Sequence, residues 1–273
     1  MTAAVAKTIK YVTLVIGSIV ALLPLTVILM ASLKTRQELE QGGPFDFPSS
    51  PQWGNYATFF VRGKALEGFM NTGIILVFSI LGTIVIGTMA AYAIDRFEFR
   101  FRKSIVMLFL LATLVPGVTT QVATFQVVHA LGAYNTRVAP ILLFMGTDII
   151  SIYIFIQFMR GIPKELDEAA FLDGANHWRI YRSVIFPLLK PAIATVIIIK
   201  GIAIYNEFYI PFLYMPSRNL PVISTALFRF KGPYAAEWQV IAAGIIIVVI
   251  PTLIIFLLLQ RHIYNGLTQG AVK

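Results

Sequence analysis

The sequence predicts an all-α polytopic membrane protein of about six transmembrane helices with both termini in the cytoplasm, and three observations carry that prediction. Apolar residues make up 58% of the 273 and charged residues only 13%, against about 45–50% and about 25% in an ordinary soluble domain. Six apolar runs are each long enough to cross a bilayer, near 11–33, 70–94, 104–122, 138–159, 191–213 and 238–260, given the roughly 20 residues a spanning helix needs. Lys and Arg are denser in alternate loops, as the positive-inside rule requires.

The first run follows Lys7 and Lys10. It is longer than the roughly 7–15 apolar residues of a signal peptide, and Leu33-Lys34-Thr35 is no small-residue cleavage site, so it reads as a transmembrane helix. Placing the N-terminus inside puts Arg96, Arg100, Arg102, Lys103, Arg160, Lys164, Arg179, Arg182, Lys190, Arg261 and Lys273 inside as well. The outside then carries Lys34, Arg36, Arg62, Lys64, Arg137, Arg218, Arg229 and Lys231, diluted in 34–69 by Glu38, Glu40, Asp46 and Glu67. Trp238 and Tyr11 sit at span ends, as interfacial aromatics do. Pro24, Pro116 beside Gly117, and Pro251 predict kinks inside spans.

Residues 160–190 form the longest inner loop and have a helical grammar of their own. Pro163 suits a first turn, and Glu165, Asp167 and Glu168 follow where a helix dipole favours acids. Leu166, Ala169, Ala170 and Leu172 make a small apolar face before Gly174 interrupts. Trp178, Tyr181 and Ile185 recur about one turn apart, and Pro187 and Pro191 close the loop. Two short helices joined at a glycine are predicted. They serve either as an interfacial pair lying in the headgroups or as a docking knob for a cytoplasmic partner.

The run Glu168-Ala169-Ala170, then Asp173-Gly174-Ala175, with Pro187 further on, resembles the EAA loop of ABC importer permeases, with Val184 and Phe186 where that pattern has Ile and Leu. Tyr205-Asn206-Glu207-Phe208 resembles the Trp-Asn-Glu-Phe run of carbohydrate permeases, with Tyr205 in place of Trp. The ending Gly266-Leu267-Thr268-Gln269-Gly270-Ala271-Val272-Lys273 is similar to that of the smaller permease subunit of maltose-type importers. Ala31-Ser-Leu-Lys34 and Trp53-Gly-Asn-Tyr56 extend the likeness over nearly the whole chain.

The resemblance implies a single permease domain over 1–273 with the ABC importer permease fold, in a bacterial inner membrane. It implies that 160–190 couples to a cytoplasmic ATPase through Glu168, Ala169, Ala170, Asp173, Gly174, Ala175 and Pro187. It implies that the tail 261–273 reaches the ATPase through Gly266, Leu267, Thr268 and Gly270. The implied partners are a larger second permease, two ATPase copies that hold ATP and Mg, an extracytoplasmic sugar-binding protein and membrane lipid. No cofactor on this chain and no nucleic acid are implied.

Lys200, Asn206 and Glu207 fall in the fifth run, with Lys200 and Glu207 seven positions apart and so near one helical face. They either line the pathway, with Tyr205, or answer to other needs: Lys200 snorkelling to the inner interface and Glu207 meeting the partner subunit. His129 and Asp148 are expected near outer span ends.

Other classes fare worse. The +9 charge would point to nucleic acid in a soluble protein, but here it is the basic inner loops. There is no cysteine, so disulfides, thiolate metal sites and thiol nucleophiles are excluded. Three scattered histidines make no metal site, there is no Walker A loop, and no nucleophile–base pair stands out for a membrane enzyme. A gradient-driven transporter would use Lys200 and Glu207 but lacks the internal repeat such folds show.

Overall fold

The computed structural model describes residues 3–146, 148–232 and 236–271, with side chains described from 5 to 257. The described chain is helical apart from turns and one isolated bridge, Lys231 to Ala236. It divides into two compact units, residues 1–68 with 223–258 and residues 69–222 with 259–273.

In the first unit, α1 (Ala3–Ser32) is a continuous helix with Pro24 inside it. None of its apolar window is buried by the rest of the chain, which leaves that surface to lipid or another subunit. The segment after it is tied down by polar contacts. Thr35 and Glu38 close a capping box at the start of α2 (Arg36–Gln41). Asn55 donates to the carbonyls of both Ser32 and Lys34 at 2.9 Å, and the buried Lys34 ammonium donates to Gly43 O at 2.9 Å. Phe59, in α3 (Gly54–Arg62), is fully buried against the Phe230 ring. Gly244 admits it: a β-carbon there would stand 2.5 Å from both Phe59 and Leu227. α13 (Ile223–Phe228) and the start of α14 (Trp238–Ala271) complete this unit.

The second unit is organised around α4 (Ala65–Arg96), which carries Glu67 in its first turn and Arg96 in its last, both complementing the helix dipole. α4 packs closely because it lacks side chains at two points. A β-carbon on Gly82 would strike Met145, and one on Gly87 would come within 2.9 Å of the Phe155 ring. Those neighbours lie on α7 (Val138–Gly146) and α8 (Ile149–Met159). Near the start of α4, buried Asn71 donates to Pro221 O and accepts from Arg137 Nε, each at 2.7 Å.

Among the described residues, three helices are each long and apolar enough to span: Val5–Ser32, Ala65–Arg96 and Trp238–Leu257. Two bent pairs qualify as well, α7 with α8 at 42° and α10 (His177–Leu188) with α11 (Lys190–Asn206) at 69°. The run expected at 104–122 is not one helix. α5 ends at Thr113, having begun at Arg102, and α6 begins at Gln121 and ends at Ala130. Pro116 explains the break: it has no N–H to give the preceding turn and drives Val115 out of helical geometry, and its carbonyl instead accepts from Thr119 N at 3.0 Å. The fifth run is broken too, between α11 and α12 (Tyr209–Tyr214). The tail residues Gly266, Leu267, Thr268 and Gly270 have a helical backbone within α14, but their side chains lie outside the described residues.

Candidate functional site

The loop 160–190 folds into α9 (Glu165–Leu172) and α10, joined through 173–176. Glu165, Asp167 and Glu168 occupy the first turn of α9. Its end is a Schellman closure: Ala175 N donates to Ala170 O and Gly174 N to Phe171 O, both at 2.9 Å. Gly174 takes φ +82°, with nothing within 4 Å of where a β-carbon would stand. The glycine is therefore needed for its left-handed backbone and not for room. Asn176 then caps α10, its side chain accepting from Arg179 N at 2.9 Å.

Burial divides α9 into two faces. Leu166, Glu168, Ala169, Phe171, Leu172, Asp173 and Gly174 are exposed, and Leu172 is 90% exposed. Ala170 and Ala175 are half-buried against the core of this unit. Asp167 is the one buried side chain of α9. It is ion-paired with Arg96 Nε, and the same guanidinium donates to Asp95 at 2.7 Å and to Ile162 O at 2.9 Å. Asp167 Oδ1 finds no donor among the described residues. Burial pushes the Asp167 carboxyl up from its ordinary value, despite Arg96 beside it. The signal for Asp167 was an acid one residue before the Glu-Ala-Ala run, which read as a helix-dipole residue.

On α10, Tyr181 and Ile185 are buried while Trp178 is exposed. A π-helical turn, Tyr181–Ile185, re-aims the chain, and Tyr181 OH shares a buried 2.8 Å hydrogen bond with Thr88. Pro187 lies in the last turn before Leu189, where the 69° bend falls. His177 sits between the Phe97 and Phe171 rings, tilted to the first at 4.8 Å and edge-on to the second at 4.7 Å.

The polar residues of the fifth run part company. Lys200 lies in α11 and pairs with Asp148 at 3.1 Å, both largely buried. Asp148 stands at the α7–α8 break, capping α8. Asn206 ends α11, its amide donating to Ile202 O at 2.9 Å. Glu207 is outside the helix, at φ −70° and ψ 122°. Its carboxylate accepts from Tyr209 N at 2.7 Å and from Ile210 N. Lys200 and Glu207 thus do not share a helical face, because α11 stops between them. Tyr205 is half-buried and Asn206 exposed.

Residues 83–269 match the family described as binding-protein-dependent transport system inner membrane component. The chain is 31% identical to the melibiose/raffinose/stachyose import permease protein MelC of Bacillus subtilis, with 100% of each covered. It is 32% identical to the trehalose transport system permease protein SugB of Mycobacterium tuberculosis, over 96% of this chain and 95% of that one. Its fold matches a chain of a crystallised bacterial ABC transporter involved in the import of the acidic polysaccharide alginate. The TM-score is 0.81 at 20% identity, covering 96% of this chain and 98% of that one.

Proposed function

The chain belongs to the family of inner-membrane components of binding-protein-dependent transport systems, and from that premise we propose how it works as the permease subunit of a sugar importer. It is a multi-pass protein of the bacterial cytoplasmic membrane, and its relatives import oligosaccharides. It forms half of the translocation pathway, beside a larger second permease, with both termini cytoplasmic and about six membrane crossings. The uncovered apolar surface of α1 supports a neighbour in the membrane. A sugar-binding protein delivers the substrate outside, and two ATPase copies holding ATP and Mg act inside.

The observation that carries the coupling part is the two-faced α9. Its acidic–apolar outer face, Leu166, Glu168, Ala169, Leu172 and Asp173, is open for a partner, while Asp167 is anchored inward on Arg96. Glu168, Ala169 and Asp173 meet the ATPase directly. Ala170, Ala175, Gly174 and Pro187 shape the segment behind them, and Gly266, Leu267, Thr268 and Gly270 supply the tail contact. ATP-driven closure of the ATPase pair draws the coupling segments together and switches the bundle. Moving such an equilibrium from 1:99 to 99:1 takes about 5.5 kcal/mol of differential binding. Tyr205, Asn206 and Glu207, at the break that ends α11, line the pathway.

The test is purification of the tagged chain from its own host in mild detergent. An ATPase subunit and a second permease should come with it, and Gly174→Asp should lose the ATPase. A stable chain without either would refute the reading.

A further inference from the structure

Thr88, Tyr92 and Arg96 recur at intervals of four in α4, so they lie along one face of its last turns. All three touch the loop segment. Thr88 shares its hydrogen bond with Tyr181, and the Tyr92 ring lies 5.5 Å from the Tyr181 ring. Arg96 pairs with Asp167, and its side chain is 7% exposed. Asp95 and Arg102, 3.9 Å apart, complete the cluster, so two guanidinium groups balance two carboxylates.

The other holds on α9 are apolar: Ala170 against the core and the Phe171 ring against His177. Leu166 and Leu172 are exposed, and its single buried side chain is Asp167. A helix attached through apolar burial can slide, because that attraction is non-directional. One attached through a guanidinium fork has a fixed register. The fork here serves Asp95, Asp167 and Ile162 O at once. Lysine, a single point charge, would keep the charge without the three-way geometry.

We propose that Arg96 is the positioning residue of energy coupling: it holds α9 in register on α4 through Asp167, and the Thr88–Tyr92–Arg96 face carries the displacement of the loop into the bundle. The proposal rests on the reading of α9 as the ATPase-docking helix. Arg96 itself touches neither nucleotide nor sugar. It governs how far a movement of α9 becomes a movement of α4.

The experiment uses the complete transporter, purified with its partners and reconstituted in vesicles, and reads ATP hydrolysed per sugar imported. Arg96→Lys and Asp167→Asn should assemble at wild-type yield and keep hydrolysing ATP, while uptake falls. The ratio should rise about tenfold, within the range of ordinary coupling energies. A ratio equal to wild type in both variants, whether the two rates are unchanged or fall together, overturns the proposal and makes Arg96 a folding residue only. The docking reading is checked separately. The chain has no cysteine, so Leu172→Cys can carry a thiol-directed photocrosslinker. An adduct with the ATPase sustains the docking reading whatever the Arg96 result. Its absence overturns both.

Discussion

Lys200 Nζ lies 3.1 Å from Asp148 Oδ2, joining the middle of α11 to the break between α7 and α8. Both side chains are largely buried, and removing one member of a buried pair typically costs about 3–5 kcal/mol, because the other charge is left without a counterion. Lys200→Met and Asp148→Asn should therefore each lower the thermal midpoint of the detergent-solubilised protein. The double variant should recover most of the loss. Single variants that melt like wild type would show that the pair contributes nothing.

The Arg96 cluster predicts an asymmetry. Arg96→Ala leaves Asp95 and Asp167 buried without their shared partner, whereas Asp167→Asn removes a charge that burial already disfavours. Arg96→Ala should cost about 3–5 kcal/mol and Asp167→Asn much less. The pH dependence follows from the direction of the Asp167 shift. A carboxyl raised in the folded state binds its proton more tightly there than in the unfolded chain, so its ionisation costs stability as pH rises through the raised value. Wild type should lose stability on that account as pH rises upward from the ordinary aspartate value, and Asp167→Asn should not. Melting curves across that window decide it.

Gly174 sets a backbone test. At φ +82° with open space around it, a side chain is penalised by conformation alone, by roughly 1–2 kcal/mol for an ordinary residue. Asn visits the left-handed region more readily. Gly174→Asn should keep more ATPase on the purified complex than Gly174→Val. Equal retention would show that the left-handed turn is not what docking requires.

Glu38 closes the segment between α1 and α3. Ser49 donates to it through both its hydroxyl and its N–H, and Thr35 does likewise, holding the carboxyl at about 2. Its folded value lies below its unfolded one, so its contribution is complete above about 4.5 and is lost as pH falls toward 2. Amide protection in 35–50, taken relative to the intrinsic exchange rate at each pH, should fall over that range in wild type. In Glu38→Gln it should already be low at neutral pH and change little. Protection indifferent to both pH and substitution would remove the role assigned to Glu38.

Much of the coupling segment was legible residue by residue. Acids at 165, 167 and 168, small residues at 169 and 170, and glycine at 174 specify a short helix with a left-handed end, because propensity, dipole and backbone sterics are local. Pro116 also stood in plain view, but its effect was read as a kink and proved a full break. A proline's cost depends on whether neighbouring groups re-satisfy the freed carbonyl, and that is not written nearby. Glu207 shows the same limit: seven residues from Lys200 means one face only if the helix continues.

The sequence by itself determined the membrane class, the long apolar runs and the family motifs, since each depends on composition or on spacing within one stretch of chain. The tertiary structure alone decided which polar groups meet. Asp148 pairs with Lys200, Asp167 with Arg96, and Arg137 with Asn71. The partners of each pair lie in different elements, at least 52 residues apart in the chain, and an ion pair or buried hydrogen bond forms only where close packing brings such elements together. Gly82 and Gly87 help set that approach for α4, and nothing in the period of an isolated helix records what its neighbour presents.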